Sequence, residues 1–563
     1  MTSSLHPAFF LLFGGLFLPL LPLQARRIAL VLLPLIGLYN LIGYEVGASQ
    51  IYAFAGYDLH ILRVDKLSLL FGYLFHIAAF LAGLYSLHLK DRLQHMTGFM
   101  YGGAAVGAVF AGDLLTLFIF WELLAITSVF QIWARGGTKA INTGTRYLLI
   151  HISSGLLLLV GTALHYQQTG SLALNHLGIE TWATRLIFLG VGVKCAFPLL
   201  HTWLVDAYPE ATPTGTVFLS AFTTKTAVYV LARCFAGTEY LIYIGGAMAM
   251  FPIFYAVIEN DLRKVLGYSM INQIGFMVVG VGLGPGMGVN GAVAHAFNDV
   301  IFKGLLFMSM GAVLYRTGKI NGSDLGGLYK SMPWTCSFCI VGASSISAFP
   351  LFSGFISKSM IMQAAANEGH LAIWLMLLFA SAGVFHHAGI KIPFFAFFSY
   401  DSGIRCEEAP RNMLWAMGIG ATLCIAIGSF PQYLYGLLPY PVDYEPYTTT
   451  HVVLQLQLLF FSALAFVILK LTNLYPPELR SLNIDVDWSH RKLLPSAARL
   501  FMQIATPLRD GFINGGKRLI FALVEQVRQH HGPTGIFART WLTSSSVLVV
   551  TIFLALYLFL YFQ

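Results

Sequence analysis

The sequence predicts an all-α polytopic membrane protein, and three observations carry that prediction. Of its 563 residues 57% are hydrophobic and only 10% are charged, less than half the roughly 25% charge of a water-soluble domain. Apolar stretches near 20 residues, the length that crosses about 30 Å of hydrocarbon as a helix, recur along the chain. Lys and Arg gather in the short connections between these stretches. A soluble enzyme, a secreted disulfide scaffold and a nucleic-acid-binding module are thereby excluded. The net charge of +8 reads as orientation and contact with anionic lipid.

Taken in order, spans are expected at approximately 8–23, 27–46, 67–89, 96–112, 114–134, 142–165, 182–200, 213–235, 238–258, 266–284, 290–315, 333–365, 370–398, 411–430, 451–471 and 541–562. That makes about sixteen, two of them irregular. The N-terminal MTSSLHPAFFLLFGG has no basic n-region and no small-residue cleavage site, so it is expected to be a retained membrane helix. Odd-numbered connections hold Arg26 and Arg27, Lys90 and Arg92, Arg135 and Lys139, Arg263 and Lys264, and Arg316, Lys319 and Lys330. The even-numbered ones are neutral or acidic, with Glu45, Asp58, Glu368, Asp443 and Glu445. The positive-inside rule therefore places the basic loops in the cytoplasm and the N-terminus outside.

Residues 472–540 depart from this pattern, being polar and basic. LLPSAARLFMQIATPL and GKRLIFALVEQVRQHH place apolar residues opposite charged ones at helical spacing, the pattern of a helix lying along a membrane surface or across neighbouring helices. Pro507 and the Gly515–Gly516 pair are expected to break it in two. The six cysteines lie mostly in apolar stretches, and the single CxxC at Cys336 and Cys339 supplies too few ligands for a zinc or redox site. They are expected to be buried packing thiols.

An internal repeat is the most informative feature. KCAFPLLHTWLVD at 194–206 and ISAFPLFSGFISK at 346–358 interrupt apolar spans with the same AFPL, each beside a lysine. Proline removes a backbone donor, and irregular backbone at membrane depth persists only where protein buries it or it lines a wet cavity. Paired broken helices are expected of a transporter built from inverted repeats. Ionisable residues also stand inside apolar spans: Glu122, Lys194, Lys225, His295, Lys303 and Lys358. A lysine costs about 2.5–3.5 kcal/mol at a helix centre on insertion scales, so the series points to an ion or proton pathway. His151, His386, His387 and Lys391 in or near spans, with His201 and Asp206 after the first AFPL, are accessory candidates.

FWE at Phe120 to Glu122, the run from Lys194 to Pro213, DLRKVLGYSMINQIG from Asp261, the HAF and FKGLLF segments around His295 and Lys303, and SGFISK ending at Lys358 resemble the antiporter-like family. That family is shared by Mrp-type cation/proton antiporters and the proton-pumping membrane subunits of respiratory complex I and membrane-bound hydrogenases. DAYPEATPTGTVFLSAFTTKTAVYVLAR and SAGVFHHAGIKIPFFAFF most resemble Mrp D-type subunits. The tail is longer than the usual D-type chain and is similar to the lateral helix of the largest antiporter-like component of complex I.

The resemblance implies an antiporter-like core of about 14 helices, made of two inverted five-helix repeats with broken helices, plus a C-terminal amphipathic segment and an extra transmembrane helix. The expected division is N-terminal helices over 1–95, repeats over 96–235 and 236–430, a further helix within 431–471, the amphipathic segment over 472–540 and a final helix over 541–563. It implies proton transfer by Glu122, Lys194, Lys225, His295, Lys303 and Lys358. Val205 stands where the family usually has proline, and four extra residues separate His295 from Lys303.

The expected function is that of a proton-conducting subunit of a multisubunit Mrp-type antiporter or a related redox-driven complex. The alternative is a gradient-coupled membrane partner of a non-redox soluble protein, as in inorganic-carbon uptake complexes. Expected partners are other membrane subunits, the lipid bilayer, protons and a monovalent cation such as sodium, in a bacterial cytoplasmic (inner) membrane, with no nucleic acid. The sequence holds no Rossmann glycines, P-loop, CxxCxxC cluster or haem-binding CxxCH. No cofactor, metal or active site of its own is therefore expected, and any redox step belongs to other subunits.

Overall fold

The computed structural model describes residues 5–54, 56–480, 483–535 and 538–563. The chain forms two units, one up to Asn483 and one from Ile484 onward. In the first, α1 (Phe9–Phe17) and α2 (Leu23–Ile42) lead through a hairpin, β1 (Ser49–Phe54) and β2 (Tyr57–Arg63), into α3 (Lys66–Tyr85), α4 (Arg92–Phe110), α5 (Leu114–Trp133) and α6 (Gly137–Thr169). Then come α7 (Trp182–Lys194), α8 (Thr202–Glu210), α9 (Gly215–Ala221), α10 (Thr223–Cys234), α11 (Glu239–Ile258), α12 (Leu262–Leu283) and α13 (Met287–Thr317). The unit continues with α14 (Pro333–Ile346), α15 (Ser353–Asn367) and α16 (Leu371–Val384). A short α17 (Lys391–Pro393) follows, set between π-helical turns at Phe385–Ile390 and Phe394–Phe398, then α18 (Arg411–Ser429), α19 (Pro431–Tyr435) and α20 (Thr449–Leu471).

Twelve helices among the described residues are long and apolar enough to cross a membrane. The other four expected spans also have helical counterparts: the short α1, the glycine-rich α4, and two interrupted helices, α7 and the α14–α15 pair. The hairpin departs from the all-α expectation. Its second arm turns both Leu59 and Leu62 inward, three residues apart, because the register shifts at Gln50/Ile51 and leaves Ile61 as an extra residue between them; this broken alternation gives no strand period to read beside 20-residue apolar runs.

Helix starts are set by acidic and hydroxyl caps, which accept the free N–H groups of the first turn. Asp65 and Ser68 form a reciprocal capping box, and Asp113 and Asp261 cap α5 and α12. Both latter caps sit in the same local structure. Leu114 and Leu174 exchange backbone hydrogen bonds across Gly112 and Leu172, and Leu262 and Gly322 do the same across Asn260 and Ile320. The two AFPL segments match as well: Ala196 and Leu199 have φ of 60° and 70°, Ala348 and Leu351 of 58° and 74°. Left-handed backbone at four non-glycine residues costs about 1–2 kcal/mol each, and it recurs at identical positions of the motif.

The basic connections gather at one end of this unit. Arg26 donates to the Lys90 carbonyl (2.8 Å), Arg27 to that of Leu87 (2.9 Å), Arg146 pairs with Asp206 (2.7 Å), and Lys139 pairs with Glu210. Buried Arg263 donates to the carbonyls of Pro209 and Ala211, Arg316 to that of Glu408, and Lys330 pairs with Asp401 (2.7 Å).

The second unit contains α21 (Leu494–His531) and α22 (Thr543–Tyr561). The expected break at Pro507 and Gly515–Gly516 is corrected: α21 is one helix of 38 residues running through both. Proline removes one hydrogen bond and each glycine costs about 1 kcal/mol, and the long helix-forming runs on both sides outweigh these local penalties. Its apolar residues Phe501, Ile504, Leu508, Phe512, Leu519 and Leu523 share one face, and all are exposed.

Candidate functional site

The buried charges of the first unit begin at α5 and α7. Lys194, the last residue of α7, is fully buried; its Nζ donates to the Trp121 carbonyl and lies 4.4 Å from the centre of the Trp121 ring, a cation–π contact. Glu122 is the next residue along α5 after Trp121, whose carbonyl Lys194 holds. Its Oε1 lies against α6 at Gly155, where an added Cβ would sit 1.4 Å from it, so only glycine leaves room for the carboxylate. Trp121 Nε1 donates to Ser154 Oγ (3.0 Å), which donates to the Gly190 carbonyl (2.6 Å). His151, one turn from Gly155, lies buried between Tyr147 (4.1 Å) and Trp203 (4.4 Å), and neither ring nitrogen has a hydrogen-bond partner among the described residues.

Lys225 on α10 comes next; its charge acts on Cys195, the neighbour of Lys194. Its Nζ donates to the Ser220 carbonyl (3.2 Å) near the end of α9 and stands 2.6 Å from Asp299 Oδ2, with both side chains fully buried. Asp299 lies on α13 between His295 and Lys303, each four residues away, so all three share one helix face. Lys303 Nζ donates to Ser269 Oγ (2.8 Å). His295 bonds Ser357 Oγ (3.0 Å) and Gln273 Oε1 (3.2 Å). Lys358 on α15 donates to the carbonyl of Ile346 (2.9 Å), the last residue of α14. Both Lys225 and Lys358 thus cap carbonyls freed where a helix is interrupted, the negative end of its dipole. Asp299 pairs directly with Lys225 and lies one turn from Lys303 on α13.

A cavity of about 260 Å³ reaches Lys358 from the end opposite the basic loops, lined also by Ser359, Gln363, Tyr444, His451 and Gln455. On the other side, fully buried His387 lies in the π-helical turn Phe385–Ile390, between His386 and Lys391. Lys391, fully buried, donates to the carbonyls of Val257 and Glu259 (both 2.7 Å) and pairs with Glu478 (2.9 Å). Burial pushes the Glu478 carboxyl above its ordinary range, with Lys391 pulling the other way. His386 faces Phe466 and Tyr475.

The structure therefore brings Glu122 with Lys194, and Lys225 with His295, Lys303 and Lys358. Of the accessory candidates, His151 packs against Tyr147 and Trp203, and His387 lies four residues before Lys391. Asp206 lies instead in its ion pair with Arg146 at the basic end, and His201 packs on Phe251 (4.6 Å). Sequence reading missed Asp299 and Glu478. Asp299 carried a signal, a carboxylate one turn from both His295 and Lys303; Glu478 lies outside the spans and carried none. Of the six free cysteines five are buried and Cys406 is partly exposed.

Helices packed around a line of buried charge, with two interrupted helices bearing lysines, define a polytopic membrane protein with an ionisable interior. Residues 111–386 match the family model described as NADH:quinone oxidoreductase/Mrp antiporter, transmembrane. It is 30% identical over 426 residues to the A-type Na(+)/H(+) antiporter protein of Alkalihalophilus pseudofirmus, covering 66% of this chain and 52% of that protein. It is also 30% identical over 309 residues to the D-type antiporter protein of the same organism, covering 50% and 62%. The chain thus spans between about half and three-fifths of the length of these relatives. The fold is similar to a chain of the membrane-bound sulfane sulfur reductase, an archaeal respiratory membrane complex, with a TM-score of 0.69 and 26% identity over 78% of this chain and 96% of that one.

Proposed function

We propose that the chain is the proton-conducting membrane subunit of a multisubunit Mrp-type cation/proton antiporter or a related redox-driven complex, in a bacterial cytoplasmic membrane beside other membrane subunits. Protons pass along Glu122, Lys194, Lys225, Asp299, Lys303 and Lys358, with His295 beside the last two. The observation that carries the reading is the buried Lys225–Asp299 pair, which joins the charges of the first broken helix to those of the second.

A lysine out of water holds its proton only while an anion stands close. With Glu122 ionised, Lys194 stays protonated; when a cation or a neighbouring protein neutralises Glu122, Lys194 releases its proton toward Lys225. Lys225 and Lys303 compete for Asp299, so a proton gained by one weakens the hold on the other. Each step breaks one N–H or O–H bond and forms one, with no covalent intermediate. The cavity beside Lys358 serves as the opening to the outer side. The same reading takes residues 96–235 and 236–430 as inverted repeats, supported by the matching caps of Asp113 and Asp261 and the matching AFPL backbones.

The test is cation-driven proton movement in inverted vesicles carrying the full complex. Glu122→Gln, nearly isosteric, leaves the complex assembled and abolishes or strongly reduces transport. Undiminished transport removes Glu122 from the mechanism.

A further inference from the structure

We propose that Lys391 and Glu478, with Glu259 beside them, form a second port, through which the buried charges exchange protons with water at the basic end of the bundle. The inference rests on the conducting role proposed above and assigns it an opening on the opposite side from the Lys358 cavity.

The geometry is a graded path. Lys391 Nζ is wholly buried, Glu478 Oε1 lies 2.9 Å from it with 6% of that side chain exposed, and Glu259 is 7% exposed. Lys264, 2.8 Å from Glu259 Oε2, is 29% exposed. Asn483 also donates to Glu259 Oε2 (3.3 Å). Inward, fully buried His387 lies in the π-helical turn four residues before Lys391. Neither of its ring nitrogens has a side-chain partner among the described residues, so its imidazole is available to receive and pass a proton.

Two features separate a port from a structural tie. The carbonyls of Val257 and Glu259, with that of Ala256 at 3.4 Å, already supply three acceptors for the Lys391 ammonium. Satisfying the Lys391 ammonium therefore needs no desolvated carboxylate, and a buried pair is weak evidence for stability on its own. The π-helical turns on both sides of Lys391 shift the register of the helix there, an irregularity frequent at functional sites.

In release at the basic end the Lys391 ammonium gives its proton to the Glu478 carboxylate, Glu478 passes it to water beside Glu259 and Lys264, and Lys391 is recharged from the buried charges through His387. Uptake reverses the order.

The experiment measures cation-driven proton movement in inverted vesicles containing the full chain and its partner subunits. Glu478→Gln keeps an acceptor for Lys391 but cannot titrate; transport falls tenfold or more, while Glu478→Asp retains a measurable part. A Gln variant with the wild-type rate overturns the port. Where the Gln variant fails to assemble, Lys391→Met/Glu478→Leu is read instead: a structural pair leaves transport at the wild-type rate, and a port leaves none. Wild-type transport in Glu478→Gln beside loss in Glu122→Gln overturns the port alone; wild-type transport in both overturns the conducting role as well.

Discussion

Lys225 Nζ stands 2.6 Å from Asp299 Oδ2, and neither side chain has any solvent exposure. The first residue belongs to α10, directly after the first interrupted helix; the second belongs to α13, which faces the second. A full ion pair in this setting is costly to desolvate and gains stability only through close geometry. Its place between two sets of buried lysines makes it the junction on which the proposed conduction depends.

The room left for Glu122 gives a sharp test. At Gly155 a methyl group would overlap Glu122 Oε1 at 1.4 Å, and the flexible carboxylate is the group able to move. Gly155→Ala therefore displaces Glu122 from Lys194, lowering transport several-fold, while the melting temperature of the purified complex changes by no more than a few degrees. An alanine variant with full transport shows that the position of Glu122 does not matter.

At the second interruption, Lys358 holds the Ile346 carbonyl and borders the cavity. Lys358→Ala removes the titratable group and blocks vesicle transport, whereas Lys358→Glu retains part of it. Normal activity in the alanine variant reduces Lys358 to a cap on α14.

Much of this site was legible in the sequence because a charge inside an apolar run is conspicuous: Glu122, Lys194, Lys225, Lys303 and Lys358 stand out against their neighbours. The two AFPL runs marked the interruptions, and the structure adds that Ala196 and Ala348 share a left-handed backbone. Asp299 was hidden by its company. It sits in HAFNDVIFK between two residues already singled out, and the four extra residues between His295 and Lys303 read as a departure. They amount to about one helical turn, which keeps the outer two on one face and sets Asp299 between them. Glu478 could not be read, because it meets Lys391 across 87 positions of chain through tertiary folding alone. The unbroken α21 shows the converse limit, since local breaker residues were outweighed by the helix around them.

That helix carries a prediction of its own. At about 1.5 Å rise per residue its 38 residues form a rod with one apolar face, and we propose that this face holds a neighbouring membrane protein of the complex at the cytoplasmic surface. Single cysteines at Phe501, Leu508 or Leu519 are then protected from a water-soluble thiol reagent in the assembled complex and labelled in the isolated chain, while one at Arg518 on the charged face is labelled in both. Equal labelling of the two faces in the complex shows an undocked helix.

The central claim, that protons cross between the two interrupted helices through Asp299, is tested most directly by proton movement in vesicles bearing Asp299→Asn and Lys225→Met/Asp299→Leu. The single change strands the Lys225 charge, and losing one member of a buried pair costs about 3–5 kcal/mol, so the melting temperature drops with transport. The double change removes both charges and recovers thermal stability. The account predicts that transport stays absent in this stable double variant; wild-type transport there would contradict it.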